Sequence, residues 1–331
     1  MRKLICLLVA LVALTSFAPK HVTTIFIIGD STAAKKDLSK GTPERGWGMA
    51  LQEYFDSTFI RVDNHAVNGR SSKSFITEGR WDKVLSLIKP GDYVIIQVGH
   101  NDEKPQPERH TDPGSTFDYN LSKFVRETRE KGGIPVIMNP VARRNFAVKA
   151  VKNDDDEALR NTTFADGAQI VEGDSLVDTH MLYAVAPREV AQRMNAHFVD
   201  ANRITTQLEQ SLGVEGSKKI HMWYKPGEIA SIPQGRQDNT HYNIYGARVV
   251  AEALAKAIAQ EVPALKKYII HYDYVVSEKG KGNYLTLQDA VNAAPMGKKT
   301  KILILDGTWE KPVIPQGKKI RFKTFPEAKV K

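Results

Sequence analysis

The sequence predicts an α/β fold of three layers, α/β/α, built on about five parallel strands. Apolar runs without polar alternation, typical of strands buried on both faces, alternate with segments of helical periodicity through residue 262. Strands that are separated by helices pair in parallel through right-handed crossovers. Several of these runs end abruptly in polar loops, and the carboxyl edge of such a sheet is where ligands bind.

The predicted strands are followed by short loops that carry reactive side chains. The first strand ends in Gly29-Asp30-Ser31, and loops containing Gly69 and Asn101 follow the second and third. Because the carboxyl ends of parallel strands share one edge, these loops are expected to lie close together. The predicted strands cover residues 23–28, 60–62, 93–98, 134–138 and 197–200.

The segment 81–88 shows apolar residues at i, i+3, i+4 and i+7, the spacing of one helix face. The predicted helices cover residues 81–88, 118–131, 187–196 and 246–260. Between the last strand and the last helix, residues 213–245 are expected to be irregular. Loops of this length are usually functional or disordered, and the aromatic residues of this one favour an ordered, functional loop.

The two ends of the chain differ from its middle. A basic start at Arg2 and Lys3, the apolar run 4–14 and a small-x-small cleavage site at 16–18 predict a secretory signal peptide over residues 1–18. We therefore expect a secreted or periplasmic protein with no membrane span. The single cysteine, Cys6, would be removed with the signal peptide. A composition change near residue 265 separates a domain over 19–265 from a segment over 266–331.

The net charge of +9 is concentrated in that last segment. Residues 266–331 contain 14 Lys and Arg against 6 Asp and Glu, so the rest of the mature chain is close to neutral. A nucleic-acid partner would favour a uniformly basic surface, which argues against that class of function. A polyanionic substrate accounts for the basic segment equally well.

Ser31, Asp238 and His241 are the residue types that acyl transfer requires. A serine hydroxyl becomes a good nucleophile when a histidine takes its proton, and a carboxylate orients the histidine and stabilises its imidazolium form. Asp238 and His241 are three residues apart, so one turn could deliver both. The Ser31 and Gly69 N–H groups and the Asn101 amide could hold the oxyanion, while Asp30 is expected to be structural.

These motifs resemble the SGNH (GDSL-like) hydrolase family. Its four functional residues match Ser31, Gly69, Asn101 and His241, in the family's order, within Gly-Asp-Ser, Asn-Gly, Gly-His-Asn-Asp and Asp-x-x-His motifs. The match is closer to the rhamnogalacturonan acetylesterase subgroup, through Gly46-Trp47-Gly48 and the motif around Asn68. The resemblance implies a flavodoxin-like sheet and a serine esterase that removes acetyl groups from pectic polysaccharide without a metal or cofactor.

Four side chains are candidates for contact with the sugar chain: Trp47, His100, Arg143 and Trp223. The tryptophans could stack on sugars or pack the loops. Arg143, with its neighbour Arg144, could pair with uronate carboxylates or form a solvated pair of charges. The acidic run 153–157 lacks the spaced ligands of a calcium loop and is expected to be a solvated turn.

The last segment is similar to the start of a pectin methylesterase over residues 272–325. That resemblance implies the beginning of a parallel β-helix. Two alternatives stay open: a fused pectin methylesterase domain in a longer chain, or a naturally shortened protein. The family's catalytic residues would lie further downstream, so none is assigned here. Fewer than about three coils do not bury a solenoid core, so this segment is not expected to be stable alone.

Two other functions remain open. A lipase or thioesterase on the same scaffold would need a long apolar groove for an acyl chain. A non-catalytic pectin-binding protein would retain the fold and bind polysaccharide without ester turnover. The complete set of catalytic residue types favours the esterase over both.

Overall fold

The computed structural model describes residues 22–146, 173–278, 282, 284–325 and 327–331. Five parallel strands form the central sheet: β1 (Thr23–Gly29), β3 (Ile60–Asn64), β4 (Tyr93–Gln97), β5 (Ile134–Met138) and β6 (His197–Val199). Their spatial order is β3-β1-β4-β5-β6. This confirms the predicted α/β fold with five parallel strands.

Helices cover both faces of this sheet. In β1, Ile25 and Ile27 face one apolar cluster, while Phe26 and Ile28 face the other, because successive side chains of a strand point to opposite sides. The α-helices of the described residues before the C-terminal segment are α1 (Trp47–Ala50), α2 (Ser72–Thr77), α3 (Arg80–Leu85), α4 (Thr116–Glu130), α5 (Leu182–Met194), α6 (Ala201–Lys218), α7 (Ile244–Glu261) and α8 (Pro263–Lys266). Two short 3₁₀-helices cover Leu38–Lys40 and Leu51–Tyr54.

The region predicted to be irregular, residues 213–245, contains ordered structure. It contains the end of α6 and an antiparallel hairpin of β7 (His221–Tyr224) and β8 (Arg236–Asn243). The two-residue strand β2 (Glu44–Arg45) pairs with β8 on its other side. The prediction was wrong here because these short strands are rich in polar residues and lack clean alternation. The hairpin leads directly into α7, since Asn243 ends β8 and caps the helix through the Gly246 N–H at 2.9 Å.

The described residues of the C-terminal segment, from 271 on, form two small parallel sheets and one helix. β9 (Tyr274–Val276), β10 (Lys299–Ile304) and β12 (Lys319–Thr324) pair in the order β12-β10-β9, and β11 (Gly307–Trp309) pairs with β13 (Ala328–Val330). Helix α9 (Leu287–Ala293) is capped at its start by Thr286, whose side chain accepts from the Asp289 N–H at 3.1 Å. The start of a β-helix remains a prediction.

Some sequence expectations lie outside the described residues. These are the signal peptide over 1–18 and the acidic run 153–157. Within the described part of the chain, none of the helices combines the length and the apolar character that crossing a membrane requires.

Candidate active site

Ser31 lies just beyond β1, in a turn that is stabilised by hydrogen bonds between its two neighbours, Asp30 and Thr32. The Asp30 carboxylate is fully buried and accepts from the Thr32 N–H at 2.9 Å and the Thr32 hydroxyl at 2.7 Å. Burial raises the pKa of Asp30, and the bonds from Thr32 oppose that rise. Gly29 lets the strand pass Gln97, since a Cβ there would lie 2.6 Å from the Gln97 carbonyl oxygen. These contacts give Asp30 a structural role and leave Ser31 at the surface of the turn.

Ser31, His241 and Asp238 form a continuous hydrogen-bonded array. The Ser31 Oγ lies 2.7 Å from His241 Nε2, and His241 Nδ1 lies 2.9 Å from Asp238 Oδ2. An ionised carboxylate only accepts hydrogen bonds, so Nδ1 carries the ring proton and Nε2 accepts from the Ser31 hydroxyl. The structure therefore brings together the three predicted catalytic side chains in the order that nucleophilic catalysis requires.

A bulge in β8 places Asp238 and His241 on the same side. Asp238 pairs with Met222 and Tyr242 pairs with His221, so residues 239–241 bulge out of the ladder. The Asp238 Oδ1 accepts from the Thr240 and His241 N–H groups, both at 2.9 Å. The turn predicted from the spacing of three residues is thus present, but it is built into a strand.

The predicted oxyanion donors lie on neighbouring loops. Gly69 has a φ of +73°, and a Cβ placed there would meet nothing within 4 Å, so the space beside its backbone is open. The Asn101 side chain is buried and its Nδ2 donates to the carbonyl of Arg70, the residue after Gly69, at 3.2 Å. Arg109 donates to Asn101 Oδ1 at 3.3 Å and so fixes which end of the amide carries the N–H donors. The sequence reasoning missed Arg109, which lies eight residues further on with no motif to mark it.

His100 lies in a buried polar cluster beside the triad. Its ring packs edge-on against His180 with centroids 4.4 Å apart, and neither ring nitrogen has a hydrogen-bond partner within the part of the chain that the structure describes. Burial, with the nearby charges of His180 and Arg143, holds the pKa of His100 well below its usual value. His100 is therefore neutral, and its predicted contact with substrate remains a prediction.

Arg143 and Arg144 are not the solvated or substrate-facing pair that the sequence suggested. The Arg143 side chain forms an ion pair with Glu103 and donates to the Thr179 hydroxyl at 3.1 Å. Arg144 is 1% exposed and donates to Ser217 Oγ at 2.9 Å. The prediction was wrong because these residues follow β5 into the interior, where a buried guanidinium must be paired.

Trp47 was also a candidate for contact with the sugar chain, and the structure contradicts that prediction. Its side chain is fully buried in α1 and its Nε1 donates to Gln97 Oε1 at 3.3 Å, so it cannot stack on a sugar. Trp223 is half-buried, and its ring already contacts the cationic groups of Arg144 and Lys218 at about 5 Å from the ring centroid. Loop packing, the alternative that the sequence left open, describes both tryptophans better.

The comparison with protein families matches residues 27–249 to the GDSL-like lipase/acylhydrolase family. The chain belongs to this family. The predicted class of carboxylic ester hydrolase is thereby confirmed. The match spans the five-stranded sheet and the hairpin that carries Asp238 and His241, and it ends before the C-terminal segment.

Similar proteins cover most of the chain. Rhamnogalacturonan acetylesterase RhgT of Bacillus subtilis (strain 168) is 34% identical over 262 residues, which is 79% of this chain and 98% of that protein. The rhamnogalacturonan acetylesterase of Emericella nidulans is 26% identical and covers 80% of this chain and 97% of its own length. The crystal structure of YxiM of Bacillus subtilis superposes with a TM-score of 0.57 at 22% identity, covering 75% of this chain and 59% of that one. This last likeness concerns the fold alone.

Proposed function

We propose that this protein is a serine-dependent carbohydrate acetylesterase that removes acetyl groups from rhamnogalacturonan. The main support for this chemistry is the position of His241, which lies 2.7 Å from the Ser31 hydroxyl and 2.9 Å from the Asp238 carboxylate. Support for the substrate comes from the relatives, two of which are rhamnogalacturonan acetylesterases that match along nearly their whole length.

The first half of the reaction forms an acetyl-enzyme. The Ser31 Oγ attacks the acetyl carbonyl carbon while His241 Nε2 takes the hydroxyl proton. Asp238 keeps the Nδ1 proton in place and stabilises the imidazolium by its charge. The tetrahedral oxyanion is held by the Ser31 and Gly69 N–H groups and the Asn101 amide. The bond to the sugar oxygen then breaks, and His241 returns the proton to that oxygen.

The second half releases acetate. Water loses a proton to His241 Nε2 and attacks the acetyl carbon, and the tetrahedral intermediate collapses as His241 protonates Ser31 Oγ. Arg109 contributes by orienting Asn101, because an amide turned by 180° would present its oxygen to the oxyanion.

The remaining expectations extend this proposal. The sequence of residues 1–18 supports export, so that the enzyme would meet its polysaccharide outside the cytoplasm. The parallel pairing of β9, β10 and β12 is compatible with the start of a pectin methylesterase-like β-helix. Both proposals agree with a pectic substrate.

The test is acetate release from acetylated rhamnogalacturonan, acetylated homogalacturonan and acetylated xylan, measured for wild type and for Ser31→Ala. We expect the highest kcat/KM on rhamnogalacturonan and loss of activity on all three in the variant. A parallel series of p-nitrophenyl esters from acetate to decanoate separates the lipase alternative, for which the rate would rise with chain length. Polysaccharide binding with no acetate release from wild type would instead support the non-catalytic binding protein.

A further inference from the structure

Three charged side chains lie behind the candidate active site, and the mechanism above does not use them. They are Lys36, Glu44 and Arg236, called here the Lys36–Glu44–Arg236 network. Their side chains are only 5%, 14% and 14% exposed. A charge withdrawn from water is costly unless it is paired and hydrogen-bonded, so these groups are arranged to balance one another.

One end of the network reaches the catalytic carboxylate. Arg236 donates to Asp238 Oδ2 at 2.5 Å and to Glu44 Oε2 at 2.8 Å. Asp238 Oδ2 is the same oxygen that lies 2.9 Å from His241 Nδ1. The guanidinium therefore holds Asp238 by a short, charge-assisted bond, and Glu44 balances the charge of Arg236 on its other side.

The other end reaches the nucleophile and the oxyanion loop. The Lys36 ammonium contacts three oxygen atoms: Glu44 Oε1 at 2.8 Å, the Ser31 carbonyl at 2.7 Å and Asn68 Oδ1 at 2.7 Å. Asn68 directly precedes Gly69, whose N–H is a proposed oxyanion donor. The Lys36 ammonium thus contacts the segments that carry the nucleophile and an oxyanion donor. It also contacts Glu44, which is connected to Asp238 through Arg236.

We propose that the Lys36–Glu44–Arg236 network positions the nucleophile turn, the Gly69 loop and Asp238 relative to one another, and that its charges act electrostatically on His241. The three residues are positioning residues, since they act through Ser31, Gly69 and Asp238. This inference rests on the proposed function, because it takes Ser31 and His241 as the reacting groups.

The charges of the network have opposite effects on the imidazolium form of His241. Burial raises the pKa of Glu44, but His241, Lys36 and Arg236 outweigh it and lower the pKa to about 2, so Glu44 is ionised at neutral pH. An anionic Glu44 stabilises the imidazolium, whereas Lys36 and Arg236 destabilise it. Other titratable groups that interact electrostatically with His241 include Asp238, Asp30 and His100.

The experiment compares Glu44→Gln and Lys36→Met with wild type, using p-nitrophenyl acetate over a range of pH. Misplaced catalytic groups reduce kcat, and we expect a loss of about tenfold or more with little change in KM. The acidic limb of kcat/KM reports protonation of the free enzyme's base. We expect that limb to move to lower pH in Glu44→Gln and to higher pH in Lys36→Met.

Glu127→Gln is the matched control. Glu127 is 16% exposed, compared with 14% for Glu44, and it likewise pairs with a lysine, Lys123, and accepts from a second donor, Trp81 Nε1, at 2.6 Å. It lies on α4, away from the triad. We expect Glu127→Gln to change thermal stability without moving kcat or the pH profile.

A double variant guards against loss of folding. Lys36→Met combined with Glu44→Gln removes one charge of each sign, so it leaves less charge unbalanced than either single change. We expect a reduced kcat in the double variant, with the acidic limb returned toward its wild-type position.

Unchanged limbs in folded single variants, or limbs that move in the same direction, would overturn the proposal. A kcat equal to that of Glu127→Gln would overturn it as well. Ser31→Ala separates this failure from failure of the proposed function. If Ser31→Ala retains turnover, the serine mechanism itself is wrong. If Ser31→Ala is inactive while the network variants behave like the control, the network proposal alone fails.

Discussion

The five-stranded sheet and the C-terminal segment are both built from parallel strands, but they bury their side chains differently. The sheet has helices and a large apolar cluster on each face. The segment has one helix and a single small cluster around Leu287, Val291 and Ile302. Val313 and Met296 of the segment are 75% and 62% exposed. Parallel sheets ordinarily need cover on both faces, so the segment lacks much of what stabilises the sheet.

The segment is joined to the body by a few backbone and side-chain contacts. Ile270 N–H donates to the Tyr54 carbonyl and Asp56 N–H to the Tyr268 carbonyl, both at 2.9 Å. Further along, the Arg248 guanidinium lies 5.8 Å from the Phe325 ring centroid. Parallel pairing is therefore common to both regions, while apolar cover on two faces belongs to the sheet alone among the described residues. The proposed chemistry lies in the body, at the carboxyl edge of the covered sheet.

The largest expected effect is on catalysis in the body, at His241. His221 lies on β7, the strand next to the one that carries His241. It makes a second buried histidine–carboxylate contact, with its Nε2 3.0 Å from Glu209 Oε1. We expect His241→Ala to lower kcat by about 10³-fold or more, because the serine then lacks its base. His221→Ala should lower the melting temperature and leave kcat nearly unchanged. Equal losses of kcat in the two folded variants would contradict the assignment of the base.

The next effect contrasts the two cores directly. Leu254 on α7 and Leu287 on α9 are 0% and 2% exposed, and truncation of either to Ala should cost about 2–5 kcal/mol locally. We expect Leu254→Ala to lower the main unfolding transition. Leu287→Ala should instead speed hydrogen exchange in β9, β10 and β12 while esterase activity persists. Uniform loss of protection across the whole chain would show that the two regions unfold as one unit.

A smaller effect tests the open space beside Gly69. Gly69 and Gly114 have φ values of +73° and +82°, and a Cβ at either would meet nothing within 4 Å. Each change to Ala should cost about 1–2 kcal/mol of backbone strain. We expect Gly69→Ala also to lower kcat about tenfold or more, because the shifted N–H no longer meets the oxyanion. Gly114→Ala is the control for backbone strain alone. An equal loss of kcat in Gly114→Ala would contradict the role of the Gly69 N–H as an oxyanion donor.

The smallest effect concerns stability in acid. Burial raises the pKa of Glu103, but Arg143 and His180 outweigh it and lower the pKa from 4.5 to about 2. Because the folded-state pKa is depressed, the stabilising contribution is complete above pH 4.5 and lost as the pH falls toward 2. We expect Glu103→Gln to be less stable than wild type at pH 6, by a margin that shrinks below pH 4 in urea titrations.

Glu215→Gln is the control for that titration. Glu215 is paired with Lys218 at 2.6 Å, but its side chain is 80% exposed, so the pair contributes little to stability. We expect no pH-dependent difference from wild type. A margin for Glu103→Gln that stays constant with pH would contradict the role of its ionised form.

The main sheet could be predicted because its strands are continuous apolar runs. Residues 134–138 were predicted as a strand and form β5 with the same bounds, and β1 and β4 differ by a residue or two at the ends. Helix α5 was predicted to begin at Pro187, but it begins five residues earlier, at Leu182. Local periodicity carries this information, whereas the hairpin of β7 and β8 depends on pairing between short polar segments that periodicity does not reveal.

The triad could also be predicted, but its surroundings could not. Ser31, Asp238 and His241 occur in short motifs whose chemistry is recognisable from residue type and order. The network of Lys36, Glu44 and Arg236 lacks such a signal, because a charged residue in a sequence is usually solvated. The fold buries it by bringing β2 against β8, a long-range contact between residues nearly 200 positions apart.

Covalent labelling with p-nitrophenyl ethylphosphonate, followed by intact and peptide mass spectrometry, tests whether Ser31 is a nucleophile activated by His241. We expect one adduct per chain, located on Ser31, with labelling slowed strongly in His241→Ala and not in His221→Ala. An adduct on another residue, or labelling that proceeds equally fast without His241, would contradict these assignments.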